Sequence, residues 1–151
     1  GVPHLYGLYE HWRPNAGWQS EEQFSDGTLR LIGLLWSLQD GKGPLLLEEP
    51  ELSLHSKVVQ YLPQAMLKVM RKSQRQIIVS THSWDLVSDE GILPEELLML
   101  EPDPDGTQIK PGNTDPEMVA IAEAGGSVAD IAFAKTNPLK SVEQMDLLEL
   151  L

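Results

Sequence analysis

Three short stretches hold the side chains most able to do chemistry. Two adjacent carboxylates, Glu48 and Glu49, close the apolar run that starts at Leu45. His82 follows a second apolar run, Ile77 to Val79, after Ser80 and Thr81. Ser25-Asp26-Gly27 stands just before a leucine-rich segment. A carboxylate at the end of a strand can hold Mg²⁺, directly or through water, and a second one beside it can polarise a water. A histidine at a neighbouring strand end can touch a terminal phosphate. Backbone N–H groups at a helix N-terminus bind anions, and glycine lets the anion come close. Each stretch alone also has a plainer reading. The glutamates could face solvent after a buried strand, the histidine could cap a loop, and most Ser-Asp-Gly tripeptides are turns.

The elements that must position these residues follow from periodicity. Leu31, Leu34, Leu35 and Leu38 recur at helical spacing with Ile32 beside them. Ser25 or Asp26 is the natural N-cap and Gly41 the stop, which predicts a buried helix opened by a polar loop. Leu45 to Leu47 lack alternation, as expected of a strand covered on both faces in a parallel sheet. Pro50 ends that strand. Ser53 or Ser56 should then start a helix with Val58, Val59, Leu62, Met66, Val69 and Met70 on one face, interrupted at Pro63. The β-branched Ile77 to Val79 predict the next strand. Helix, strand, helix, strand is the alternation of an α/β fold with a parallel β-sheet flanked by helices. In such sheets ligands bind outside the carboxyl ends of the strands, where Glu48, Glu49 and His82 fall.

The ends of the chain carry less chemistry. Tyr6, Tyr9, Trp12 and Trp18 read as edge-strand or packing residues. His4 and His11 lack a Cys or third His nearby, so metal binding there is not the expectation. Leu97 to Ile109 predict a small β-hairpin turning at Asp105-Gly106. Asp115 should cap a helix with Pro116 at its first position and Gly125 after its end, residues 127 to 135 should form a further helical turn, and Ser141 with Gln144 should open a last helix. No repeat or long linker marks a boundary, so residues 1–151 read as one domain.

Composition limits the partners. The 151 residues carry a net charge of -12 and no cysteine, which leaves no disulfide and no thiolate metal site. A field of that sign repels nucleic acid, and the one local cation group, Lys68, Arg71, Lys72 and Arg75, reads as a solvated helix face. DNA therefore stays open only as a partner held by other parts of an assembly. No apolar stretch is long enough to span a membrane, and the absence of an evident leader makes a cytoplasmic location the expectation.

In this order and spacing, FSDGTLR, LLLEEPE, LSLH and STHS resemble the C-terminal half of an ABC-type ATPase head, of the SMC/RecF-like and OLD-like predicted AAA family ATPases. The resemblance covers about residues 18 to 135. It implies the C-terminal lobe of a P-loop NTPase that binds ATP and Mg²⁺. Ser25, Asp26, Gly27 and Arg30 match the signature loop, in which Ser25 and Gly27 would contact the γ-phosphate held by the opposite head. Glu48 matches the Walker B acid that supports Mg²⁺, where aspartate is commoner. Glu49 matches the general base that positions the attacking water. Ser53 to His55 match the D-loop, and His82 matches the switch histidine at the γ-phosphate. The implied chemistry is positioning and electrostatic catalysis of phosphoryl transfer. The implied partners are an N-terminal Walker A lobe and a second head, joined as an ATP-dependent homodimer.

The phosphate cradle itself, GxxxxGK[ST] after a strand, does not occur. Gly41-Lys42 precedes a strand rather than a helix and is no substitute. The expectation is that these residues are the C-terminal piece of a longer ATPase and are inactive alone. The competing reading is a non-catalytic docking lobe. The Ser-Asp-Gly loop argues against a transporter head, and no Toprim-like nuclease region follows the ATPase motifs.

Overall fold

The computed structural model describes residues 2–8 and 17–137. The chain divides into two compact units, Gly1–His82 and Ser83–Leu151.

The first unit opens with strands β1 (Tyr6–Leu8) and β2 (Trp18–Ser20), paired antiparallel with Tyr6 opposite Ser20. Tyr6 and Trp18 are largely exposed, so they edge the strands rather than pack beneath them. Tyr9, His11 and Trp12 lie outside the described residues. His4 is engaged by Glu21, with Nδ1 2.6 Å from its carboxylate.

Helix α1 (Asp26–Gln39) starts where expected, with the Ser25 hydroxyl accepting from the Thr28 N–H. Its burial is narrower than the leucine spacing predicts. Leu34 and Leu38 form the buried stripe, while Ile32, Leu35 and Trp36 are exposed. One helical turn separates the two buried leucines, so a single packing partner suffices for them.

Strands β3 (Leu45–Glu48) and β4 (Ile77–Ser80) pair in parallel, Leu45 opposite Ile77 and Glu48 opposite Ser80. Among the described residues no further strand joins them. The parallel pairing is as expected, but the expectation that these strands are covered on both faces is corrected here. Leu45, Leu47, Ile77 and Val79 are half-buried, whereas Leu46 is 72% and Ile78 48% exposed. Side chains alternate across a pleated sheet, so an unbroken apolar run serves both faces. Among the described residues only one of those faces is covered.

The segment between them breaks as the proline requires. It forms α2 (Ser56–Val59) and α3 (Leu62–Ser73), with Pro63 in the first turn of α3, where its missing N–H costs nothing. Val59, Leu62 and Met66 are buried. The predicted cap at Ser53 or Ser56 is corrected to His55, whose Nδ1 accepts from the Lys57 N–H at 3.2 Å. Gln74 ends α3 in the left-handed region at φ 54°. The buried Arg75 then turns back on α1. It donates to the carbonyls of Ser37, Asp40 and Gly43 at 2.7, 2.5 and 2.6 Å. The Ser37 carbonyl is among the acceptors that a helix end leaves unsatisfied, Asp40 is the C-cap, and Gly43 lies in the loop beyond it.

The second unit is built from α4 (Trp84–Val87), the hairpin β5 (Leu98–Asp103) and β6 (Gly106–Pro111), and helices α5 (Pro116–Glu123) and α6 (Ala129–Thr136). Val87, Met99, Met118, Val128, Ala129, Ile131 and Ala132 make its core. The hairpin turns where expected, with Gly106 at φ 141°. Asp115 caps α5 with Oδ1 and pairs with Lys135 of α6 through Oδ2. The helix expected from Ser141 onward lies outside the described residues.

Two outcomes follow from these contacts. Arg75→Ala should cost about 3 kcal/mol, since three carbonyls lose a charged donor, and urea unfolding measures it. The Lys135 ammonium holds the Asp115 carboxyl below its ordinary 3.8. A depressed carboxylate stabilises the fold above its unfolded value, and that contribution is lost as pH falls through the folded value. Unfolding followed from pH 5 downward should therefore show an acid loss below about 3.8 that Asp115→Asn reduces.

Candidate functional site

The carboxyl ends of β3 and β4 lie side by side because the strands are parallel and in register. The ladder runs one bond past the strands, with the Glu49 N–H donating to the Ser80 carbonyl at 2.9 Å. At Glu49 the backbone leaves the strand through the left-handed region, φ 43°, and Ser53 adopts it again at φ 65°. Non-glycine residues held there carry strain, which the surrounding structure must impose. Between them the chain coils in successive turns, Leu52 N–H to the Glu49 carbonyl and Leu54 N–H to the Glu51 carbonyl.

This turn brings Glu49 to His82. Glu49 Oε1 lies 2.9 Å from His82 Nε2, with 26% and 87% of the two side chains exposed. The imidazole thus lies against the carboxylate but is open to an incoming group. Glu48 ends β3, exposed, on the face that carries Leu46.

A second pair of predicted residues also meets. Gly27, in the first turn of α1, packs against the Ser53 carbonyl so closely that a Cβ on Gly27 would come within 2.3 Å of that oxygen. Only glycine fits there without moving backbone. The Ser25-Asp26-Gly27 loop and the turn at Ser53 are therefore one surface. Ser25 and Asp26 are exposed on it, with Ser25 Oγ 2.9 Å from the Thr28 hydroxyl. Arg30 lies one turn along α1, also exposed.

Sequence reasoning passed over two residues at this site. Glu51 Oε1 accepts from the Thr81 hydroxyl, and Glu51 Oε2 is buried without a hydrogen-bond partner. The signal lay in the position of Glu51 two residues after Glu49, and of Thr81 directly before His82.

The donor set can be tested against Mg²⁺. Among the described residues no group of three or more His, Asp or Glu side chains is arranged to hold a metal. Mg²⁺ bound with nucleotides is held by one or two carboxylates plus phosphate oxygens and water, not by an all-protein cage. Hard carboxylate oxygens at a strand end, Glu48 first, fit that mode. A recess of about 430 Å³ in the second unit, lined by Glu101, Lys110, Asp115 and Lys135, does not compete as a phosphate site. Its lysines are already paired, Lys110 with Glu101 and Lys135 with Asp115.

The family model described as "AAA domain, putative AbiEii toxin, Type IV TA system" matches residues 2–89. The matched span holds the Ser25–Gly27 loop, both strands, Glu48, Glu49, Ser53 and His82. No curated protein matches the chain. Among the described residues, no helix is long and apolar enough to cross a membrane.

Gly27→Ala tests the packing of the loop on the turn. The added methyl meets backbone, so it should destabilise the chain by about 1–3 kcal/mol in urea unfolding. Gly33→Ala, at a position on α1 with open space around it, should be neutral or mildly stabilising.

Proposed function

Because this chain belongs to the AAA domain family whose model it matches, a family of nucleotide-binding P-loop ATPases, we propose that it supplies the hydrolytic half of an ATPase head. The observation that carries this reading is the Glu49–His82 contact at the carboxyl ends of two parallel strands. A docking lobe has no use for a carboxylate held against an exposed imidazole.

In this reading Glu49 orients the attacking water and takes its proton as the water oxygen bonds to the γ-phosphorus and the bond from that phosphorus to the β,γ-bridging oxygen breaks, leaving ADP and inorganic phosphate. His82 holds Glu49 through Nε2 and presents its open side to the γ-phosphate. Glu48 would hold Mg²⁺, whose chemistry when bound is to neutralise charge on the phosphate oxygens. Ser25 and Gly27 act on the nucleotide of a second head, with the N-terminal end of α1 facing phosphate. The Gly27–Ser53 packing ties that contact to the turn that carries Glu49. The head thus works as an ATP-dependent homodimer of the SMC/RecF-like and OLD-like kind, completed by a Walker A lobe. Among DNA repair, chromosome maintenance and phage defence, the toxin–antitoxin wording of the family favours defence.

The docking reading has one observation in its favour, the lack of GxxxxGK[ST] in these 151 residues. The test supplies the cradle. The chain, joined to or mixed with a candidate Walker A lobe, should hydrolyse Mg²⁺-ATP. Glu49→Gln should lower kcat about 10²–10⁴-fold while nucleotide binding persists, as expected for a general base. Unchanged turnover in Glu49→Gln would sink the catalytic assignment, and no turnover in any pairing would favour docking.

A further inference from the structure

His82 is 87% exposed at its side chain, so packing does not fix its ring against Glu49. Hydrogen bonds must do so, or the ring turns away into solvent. The ladder between the two strand ends stops at the bond from the Glu49 N–H to the Ser80 carbonyl. Beyond that bond Glu49 has already left the strand for the left-handed region. A tie across the gap beyond it is the hydrogen bond from the Thr81 hydroxyl to Glu51 Oε1. It joins the residue directly before His82 to a residue in the same turn as Glu49. Glu51 Oε2, meanwhile, is buried and unpartnered. A carboxylate so placed is unfavourable for stability, because a buried acceptor without a donor has lost its water for nothing. The other oxygen of the same carboxylate is the one that holds the Thr81 hydroxyl.

We propose that Glu51 is a positioning residue that, through Thr81, clamps the two strand-end loops together and so sets the Glu49–His82 contact. The inference rests on the reading above for what His82 does with phosphate, but the clamp itself is a property of the loops. Glu51 touches neither Glu49 nor substrate in this role. It acts on His82 through one hydroxyl.

The experiment reads the His82 ring directly, without nucleotide. The side-chain ¹⁵N and ¹H resonances of His82 are recorded at one fixed pH in the 151-residue chain. Glu49→Ala gives the reference for a ring released from the carboxylate. Thr81→Val removes the hydroxyl at nearly constant shape, and it should move the His82 signals most of the way to that reference. Thr81→Ser keeps the hydroxyl and should leave them at their original values. Glu51→Ala should match Thr81→Val, and the double variant should move the signals no further than either single one. A purely structural role would lower the melting temperature in Thr81→Val and Thr81→Ser alike and would not separate them at the ring. His82 signals that stay unmoved in Thr81→Val overturn the clamp, as does a Thr81→Ser shift equal to that of Thr81→Val. Should Glu51→Ala fail to fold, the Thr81 pair decides. ATP turnover enters neither arm, so a failed clamp and a failed ATPase assignment give different results.

Discussion

The register between β3 and β4 is the constraint on which the site depends. Glu48 opposite Ser80 fixes where both strands end, and a slip of one residue would turn every side chain to the other face. With the register held, Glu49 and His82 emerge next to each other on loops that start level. The same register sets Thr81 within reach of Glu51. Arg75 contributes at a distance. It joins the end of α1 to the entry of β4, so the helix that carries Gly27 and the strand that leads to His82 share one anchor.

Electrostatics and backbone strain meet at the turn that follows β3. Glu48, Glu49 and Glu51 crowd three carboxylates into four residues of a chain that is already strongly acidic. Like charges so close repel, and two left-handed residues add strain to the same turn. The fold tolerates this because the turn is tied on three sides, by the Ser80 carbonyl, the Thr81 hydroxyl and the Gly27 packing. Under the proposed function, a cation arriving with phosphates would relieve the repulsion and favour Mg²⁺-nucleotide over nucleotide alone.

Much of this was legible in the residues. Ser25 announced the start of α1, Pro63 the break before α3, and Asp115-Pro116 the start of α5, because caps and prolines act through local geometry. The parallel pairing was legible too, from two apolar runs separated by helical spacing. What the run Leu45–Leu47 could not disclose was how much would cover it, since burial of Leu46 depends on neighbours and not on the strand itself. The His55 cap was hidden because histidine is an uncommon acceptor at that position, while two serines offered the ordinary choice. Glu51 was hidden because its role is a hydroxyl contact across roughly thirty residues of chain, which no local spacing encodes.

The pairing of β3 with β4 also has a consequence for the order in which the molecule assembles. The hairpin of the second unit closes over a two-residue turn and needs little loop entropy. The parallel pair must first bring together residues roughly thirty positions apart, with α2 and α3 folded between them, and non-local pairing of this kind is slow. Helices and hairpin can thus be in place while the strand ends are still apart. A chain arrested at that stage has nearly its full circular-dichroism signal and no assembled chemistry, so secondary structure is a poor measure of how much of this protein is competent.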